Sequence, residues 1–327
     1  MRCSNMTNTY TSVFADIIKG FVLERQALGY KYQKQAASLK RFDKFCIERG
    51  HCQLCLSREL AMEWAEKRLF ESDDAKNRRI RLVRMLARYM VRLGYYAYIY
   101  PNHVGLSHSN NYQPYLFTEA ELAGFLGRVD RCLPVKSSPY RHLILPVLYR
   151  MLYGCGLRVS EALNLTVGDV NTEEGILTIR NGKFHKDRIV PMSPSLAEKC
   201  RIYMEAMHPV RQPEHVFFPS THGGQYSEKR IYDYFRRFLW EAGVSHGGRG
   251  KGPRLHDLRH TFAVHCLKSW VRSGTDLTVA LPYLSTYLGH TGLKGTQHYL
   301  RLTAELYPDI VVAMDKKFGY LLPGGDQ

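Results

Sequence analysis

The sequence has no uninterrupted apolar run near the roughly 18 residues needed to cross a bilayer, and its first ten residues, Met1 to Tyr10, are polar, without a signal-peptide core. A membrane anchor is therefore not expected, and the chain reads as cytoplasmic or, in a eukaryote, nuclear. Its eight cysteines are scattered and lack the regular framework of a small secreted domain. The one C-x-x-C, Cys52 to Cys55 after His51, has no second ligand pair at zinc-finger spacing, so buried, reduced thiols are expected and no metal. An H-E-x-x-H motif is also missing. The Gly-rich stretch Gly247 to Pro253 fails as a phosphate-binding P-loop, because Gly252 follows Lys251 and Ser245 stands where the first Gly belongs. Neither ATP nor any other cofactor is indicated. There is no internal repeat or low-complexity tract, and no acidic residue occurs between positions 75 and 98.

What is abundant is positive charge. The chain carries a formal net charge of +16 over 327 residues, and residues 1–110 hold 19 Lys/Arg against 10 Asp/Glu. The remainder is also basic, so both halves are expected to meet a polyanion. Nucleic acid is favoured over a membrane surface, because the basic residues lie on helices with ordinary apolar faces. An apolar content of 45% and 12% aromatics are enough to give two domains a core each.

Phe14, Ile17, Ile18, Phe21 and Val22 recur at helical spacing up to Gly29, as do Leu39, Phe42, Phe45 and Cys46 up to Gly50. Further helical periods cover about 57–70 and 76–93, the last stopped by Gly94. This predicts an all-helical N-terminal domain over 1–110, with linker composition from about 95 to 114. Thr118 and Glu121 then form a capping box ahead of Leu122, Phe125 and Leu126, opening a second domain over 115–327. Within it Leu143 to Leu152 reads as a helix, and Ile176–Ile179 and Arg188–Pro191 as strands around the Asn181-Gly182 turn. From about 228 onward the pattern is helical again. The predicted fold is mainly α with a small β-sheet.

Four residue types bear on chemistry. Arg158, in Gly156-Leu157-Arg158-Val159-Ser160-Glu161, and Arg259, in Leu255-His256-Asp257-Leu258-Arg259-His260, are guanidinium forks able to clamp one phosphate. His256 lies one helical turn before Arg259 and can face the same cleft. His290 follows Gly289, and an imidazole there can donate to an anion or relay a proton. Lys183, on the turn between the strands, can supply a proton to a leaving oxygen. Tyr299, nine residues after His290, carries a hydroxyl that two arginines would help ionise. Taken singly, each has an ordinary structural reading as an ion pair, a core histidine, a solvated lysine or an amphipathic tyrosine.

Taken together, in order and spacing, they resemble the tyrosine recombinases of the phage integrase family. The resemblance rests on G-L-R-V-S-E-A-L at Arg158, G-K before a basic strand at Lys183, H-D-L-R-H-T-F-A at His256 and Arg259, L-G-H at His290, and then Tyr299. It implies an all-helical, SAM-like core-binding domain before an α+β catalytic domain. It also implies Tyr299 as nucleophile, Arg158, Arg259 and His290 as phosphate ligands, Lys183 as general acid and His256 as proton acceptor, with Glu161 orienting them. Double-stranded DNA would be cut and rejoined through a 3′-phosphotyrosine, without metal or nucleotide cofactor, by a homo-tetramer or an assembly with related recombinases on the bacterial nucleoid. The segment between Arg259 and His290 is longer than in Xer-type members and is similar to that of a transposon-borne subgroup encoded as trios. A helix within Thr303 to Leu322 is expected to dock on a neighbouring protomer. The rival readings are topoisomerase-like relaxation and a non-catalytic accessory protein. Tyr287 is a competing hydroxyl, but it precedes His290.

For DNA contact, Arg81, Arg84, Arg88 and Arg92 make a basic stripe opposite Leu82, Met85, Leu86, Tyr89, Met90 and Leu93. Lys31, Lys34, Lys40, Arg41 and Lys44 form a second cluster, and Arg249, Lys251 and Arg254 a third.

Overall fold

The computed structural model describes residues 9–105, 113–180, 187–245, 247–248 and 252–290, together with Thr296 and Tyr299. Lys183, Arg249, Lys251 and the segment Thr303 to Leu322 lie outside the described residues. The chain divides into two compact units, residues 1–112 and 113–327.

The first unit holds α1 (Ala15–Ala27), α2 (Gln33–Glu48), α3 (Arg58–Ala65) and α4 (Asp73–Arg92). The apolar faces read from the sequence meet in one core, with Phe14, Ile18, Phe21, Leu39, Phe42, Trp64 and Leu86 at 2% exposure or less. Burying one such side chain stabilises the fold by about 1.5–3 kcal/mol, which is why four short helices hold together. Asp43 pins the entry to α1, accepting from the amides of Thr11 and Ser12 at 2.8 and 3.0 Å.

Three expectations are corrected here. The helical period over 57–70 stops at Ala65, because Arg79 of α4 donates to the Glu66 carbonyl and pairs with Glu71 at 2.8 Å while lying over the Trp64 ring. Phe70 then turns at φ +61° before Ser72 caps α4. Residues 95–105 have linker composition but pack against their own unit. Leu56 bridges Ala97, and Tyr100 is buried with its hydroxyl donating to the Ala61 carbonyl. The thiol expectation fails at Cys52, which is exposed and donates to the Gly50 carbonyl.

The second unit contains α5 (Glu119–Asp130), α6 (Arg141–Gly154), the short α7 (Val159–Leu163), and a sheet of β1 (Val170–Asn171), β2 (Ile176–Ile179) and β3 (Arg188–Pro191). It continues with α8 (Pro194–Met207), α9 (Glu228–Glu241), α10 (Leu255–Arg272) and α11 (Leu277–Leu288). The predicted capping box on α5 is present, with Thr118 and Glu121 exchanging bonds of 2.9 and 3.2 Å. The sheet is antiparallel in the order β1-β2-β3, with Leu177 opposite Val190 and Ile179 opposite Arg188. The apolar α6 sits at the centre, packed against α5, α8 and α10. No helix among the described residues is long and apolar enough to cross a membrane.

Candidate active site

The site is built where α7, α10 and α11 bring their ends together behind β3. Gly156 makes the turn into α7 at φ +57°, and a β-carbon there would meet the Phe262 ring at 2.6 Å and Leu288 at 3.0 Å. Glycine is thus required by backbone conformation and by the close approach of α10 and α11. The turn places Arg158 at the N-cap of α7 and leaves the Gly156 carbonyl facing α10.

Arg259, on the first turns of α10, is 1% exposed. Its Nη1 donates to the Gly156 carbonyl at 2.7 Å and its Nη2 to the Leu288 carbonyl at 2.6 Å and to His290 Nε2 at 3.1 Å. One guanidinium therefore ties together the α7 turn, α10 and the end of α11. Its Nε is buried with no hydrogen-bond partner among the described residues. Burial, followed by the charge of Arg158, pushes its pKa down to about 10, which still leaves it charged near neutral pH.

Gly289 ends α11 in the left-handed conformation, φ +66°, and turns His290 inward. An arginine N–H can only donate, so His290 Nε2 accepts and its proton sits on Nδ1, which bonds Thr296 Oγ1 at 2.8 Å. The Tyr299 ring stacks on His290 at 6.1 Å and lies 5.4 Å from His260, whose own ring is 4.7 Å from His256. Tyr299 is 2% exposed. Burial raises its pKa above the ordinary phenol value, outweighing the opposing pull of Arg259 and Arg158.

His256 stands at the start of α10 and is exposed to solvent. Desolvation, with the charges of Arg259 and Arg158, pushes its pKa down to about 4, leaving a neutral imidazole able to take a proton. Glu161 accepts from Arg158 Nη1 at 2.6 Å and from the Arg158 amide at 3.0 Å. Burial alone would raise its pKa, but the bonds from Arg188 and the Arg158 backbone, with both guanidinium charges, hold it down at about 2.

Arg158, Arg259, His256, His290, Glu161 and Tyr299 are thus brought into one cluster. Tyr287 is elsewhere occupied, bonded to the Pro191 carbonyl at 3.2 Å and stacked on Phe262, with its phenol pushed up by burial. No group of three or more His, Cys, Asp and Glu among the described residues is arranged to hold a metal ion. The sequence reading missed Arg188 and His260. Arg188 left a signal: alternation along β3 puts it in phase with the buried Val190, and a cation on that face needs an anionic partner.

The basic stripe on α4 is only partly a surface feature. At about 100° per residue, Arg84 falls about 60° round the helix from Arg81, toward the core. It is 8% exposed, and it donates to the carbonyls of Tyr100, at 3.0 Å, Pro101, at 2.8 Å, and Val104. Arg84 is therefore a clip for residues 100–104 and not a free DNA contact. Arg92 is exposed but lies over Tyr89 and pairs with Glu24 of α1, a partner the local sequence did not offer. Arg81 and Arg88 are exposed. Lys34, Arg41 and Arg81 line a single groove of about 1220 Å³ in the first unit, together with Lys31, Arg68 and Arg78. Arg254 is exposed at the N-cap of α10.

Guanidiniums, imidazoles and a phenol on this helical frame are groups able to bind a phosphate and move a proton. The model of the Phage integrase family matches residues 117–305. The "Putative integrase/recombinase y4rB" of Sinorhizobium fredii is 29% identical over 317 residues, covering 94% of this chain and 98% of that protein. The tyrosine recombinase XerA of Thermococcus kodakarensis is 34% identical over 155 residues, 47% of this chain and 50% of that one. Among solved structures, XerH bound to palindromic difH substrate has a TM-score of 0.59 at 21% identity, over 88% of this chain and 79% of that one. The Tn1549 transposon integrase with transposon right end DNA has a TM-score of 0.60 at 16% identity, over 92% and 98%. These two share the fold. The chain belongs to the phage integrase family, the tyrosine-type site-specific DNA recombinases.

Proposed function

We propose that Tyr299 is the nucleophile of this recombinase and that Arg158, Arg259 and His290 bind the scissile phosphate of double-stranded DNA. The observation that carries this reading is the convergence on Arg259, which touches the Arg158 turn and His290 and lies beside Tyr299. The Tyr299 oxygen bonds to phosphorus and its proton passes to His256. The bond from phosphorus to the 5′ oxygen breaks, and Lys183 protonates that oxygen. The product is a 3′-phosphotyrosine and a free 5′-hydroxyl, and attack by a 5′-hydroxyl in the reverse sense rejoins a strand and releases Tyr299. The two guanidiniums supply the charge stabilisation such a transition state needs, in a buried setting where it counts most.

Residues 1–112 act as the core-binding domain, gripping phosphates along the groove lined by Lys34, Arg41 and Arg81, with Arg88 and Arg92 beside it. Arg249, Lys251 and Arg254 add contacts near the chemistry. The DNA-bound relatives support duplex DNA as the partner, and the transposon integrase supports work in a mobile element. Strand exchange requires a homo-tetramer or an assembly with related recombinases, joined through Thr303 to Leu322, in the cytoplasm on the nucleoid.

The test is incubation with nicked suicide duplexes from the DNA flanking its own gene, in EDTA, followed by denaturing gels. Wild type is expected to form a covalent adduct and Tyr299→Phe to form none while still binding DNA. An adduct surviving in Tyr299→Phe, or no adduct from wild type on DNA it binds, would overturn the assignment.

A further inference from the structure

Arg188 is the first residue of β3, at the mouth of the turn that carries Lys183 in the sequence. Its guanidinium bridges two other segments. Nη1 and Nη2 donate side by side to the two oxygens of Glu161, at 3.0 and 2.9 Å, and Nε donates to the Tyr287 carbonyl near the end of α11 at 2.9 Å. The fork-on-carboxylate arrangement fixes direction as well as distance. Gly289 is fitted to it, because a β-carbon there would stand 3.1–3.3 Å from three Arg188 atoms.

Charge gives this bridge a consequence. Glu161 also binds Arg158, so one carboxylate is shared by two guanidiniums. If Arg188 were absent, the full charge of Glu161 would fall on Arg158, the cation assigned to the phosphate. Glu161, then held by Arg158 alone, would also be free to seek a new geometry. With Arg188 in place both oxygens of Glu161 are held, so Arg158 keeps a fixed pose and an unspent share of its charge.

We infer that Arg188 is a positioning residue for strand cleavage: it saturates Glu161 to aim Arg158 and ties β3 to the α11 end that presents His290, without touching DNA itself. The inference rests on the reading of Arg158 and His290 as phosphate ligands.

The experiment measures single-turnover adduct formation on the nicked duplex across DNA concentrations for wild type and Arg188→Lys, with unfolding curves for each. Lysine keeps the charge but cannot span the carboxylate and the carbonyl together. The saturating rate is expected to fall by about 10–100-fold, as for a small misplacement of a catalytic group, with half-saturating DNA changed by less than about 3-fold. In a Glu161→Gln background the same substitution should cost much less, because the two act as a unit. A wild-type saturating rate for Arg188→Lys would overturn the inference, as would a loss confined to half-saturating DNA or a full multiplication of the two effects. Should Arg188→Lys not fold, Glu161→Gln/Arg188→Met removes the buried charges as a pair; a stable double variant cleaving like wild type would overturn it equally. A wild type without adduct would instead sink the underlying reading.

Discussion

Both units use arginine as a structural clip, but they place their uncommitted charge differently. In residues 1–112, Arg79 and Arg84 turn inward to hold a carboxylate and backbone carbonyls, while Lys34, Arg41 and Arg81 along the groove stay in solvent. In the second unit the inward arginines, Arg259, Arg188 and Arg158, clip carbonyls as well, and two of them, Arg188 and Arg158, share one carboxylate. The cations left without a clipping role are thus kept outside in the first unit, while the second gathers three arginines around its candidate site. Solvent and salt screen the first kind and barely reach the second. A surface of the first kind suits an extended polyanion of any sequence, and a pocket of the second suits one charge that develops during reaction.

Arg84→Ala should be the harshest test of the first unit. It strips hydrogen bonds from buried carbonyls and is expected to destabilise by about 2–4 kcal/mol, whereas Arg81→Ala on the same helix should stay within about 0.5 kcal/mol. Denaturant titration of the two variants checks this, and equal effects would erase the distinction between inner and outer arginines. Next in size is the combined substitution of Lys34, Arg41 and Arg81 by Ala. The slope of log affinity against log salt should flatten by about 0.9 for each of the three that neutralises a phosphate; a slope equal to wild type would remove the groove from the interface.

The smallest effect is in pH. His256 has a folded pKa of about 4 against an ordinary 6.5, so the unfolded chain takes up its proton first as pH falls, and stability is lost from about 6.5 down to about 4. Glu161, held at about 2 against 4.5, loses its contribution lower down, from about 4.5 toward 2, outside the pH 7 to pH 5 interval. His256→Gln should therefore lose less stability than wild type between pH 7 and pH 5. Urea midpoints at the two pH values measure the difference; parallel losses would show that packing and the neighbouring arginines do not depress the histidine.

The candidate catalytic pattern could be picked out in the sequence because it is local. Gly156 beside Arg158, His256 one turn from Arg259, and Gly289 before His290 are short-range arrangements that fix a turn or a helix face whatever lies around them. Helix spans followed for the same reason, from apolar spacing and from stops at Gly29, Gly50 and Gly94. The sequence by itself thus determined the mainly helical fold with a small sheet, the basic character of both units and the residues bet on for chemistry. Only the tertiary structure decided that Arg84 points inward, that Arg92 meets Glu24, that Glu66 ends a helix early, and that Arg188 shares Glu161 with Arg158. Each of those depends on which segments are brought together from far apart in the chain. A buried cation takes its role from the carbonyl or carboxylate that the fold happens to set within 3 Å of it, and one-dimensional spacing does not encode that neighbour.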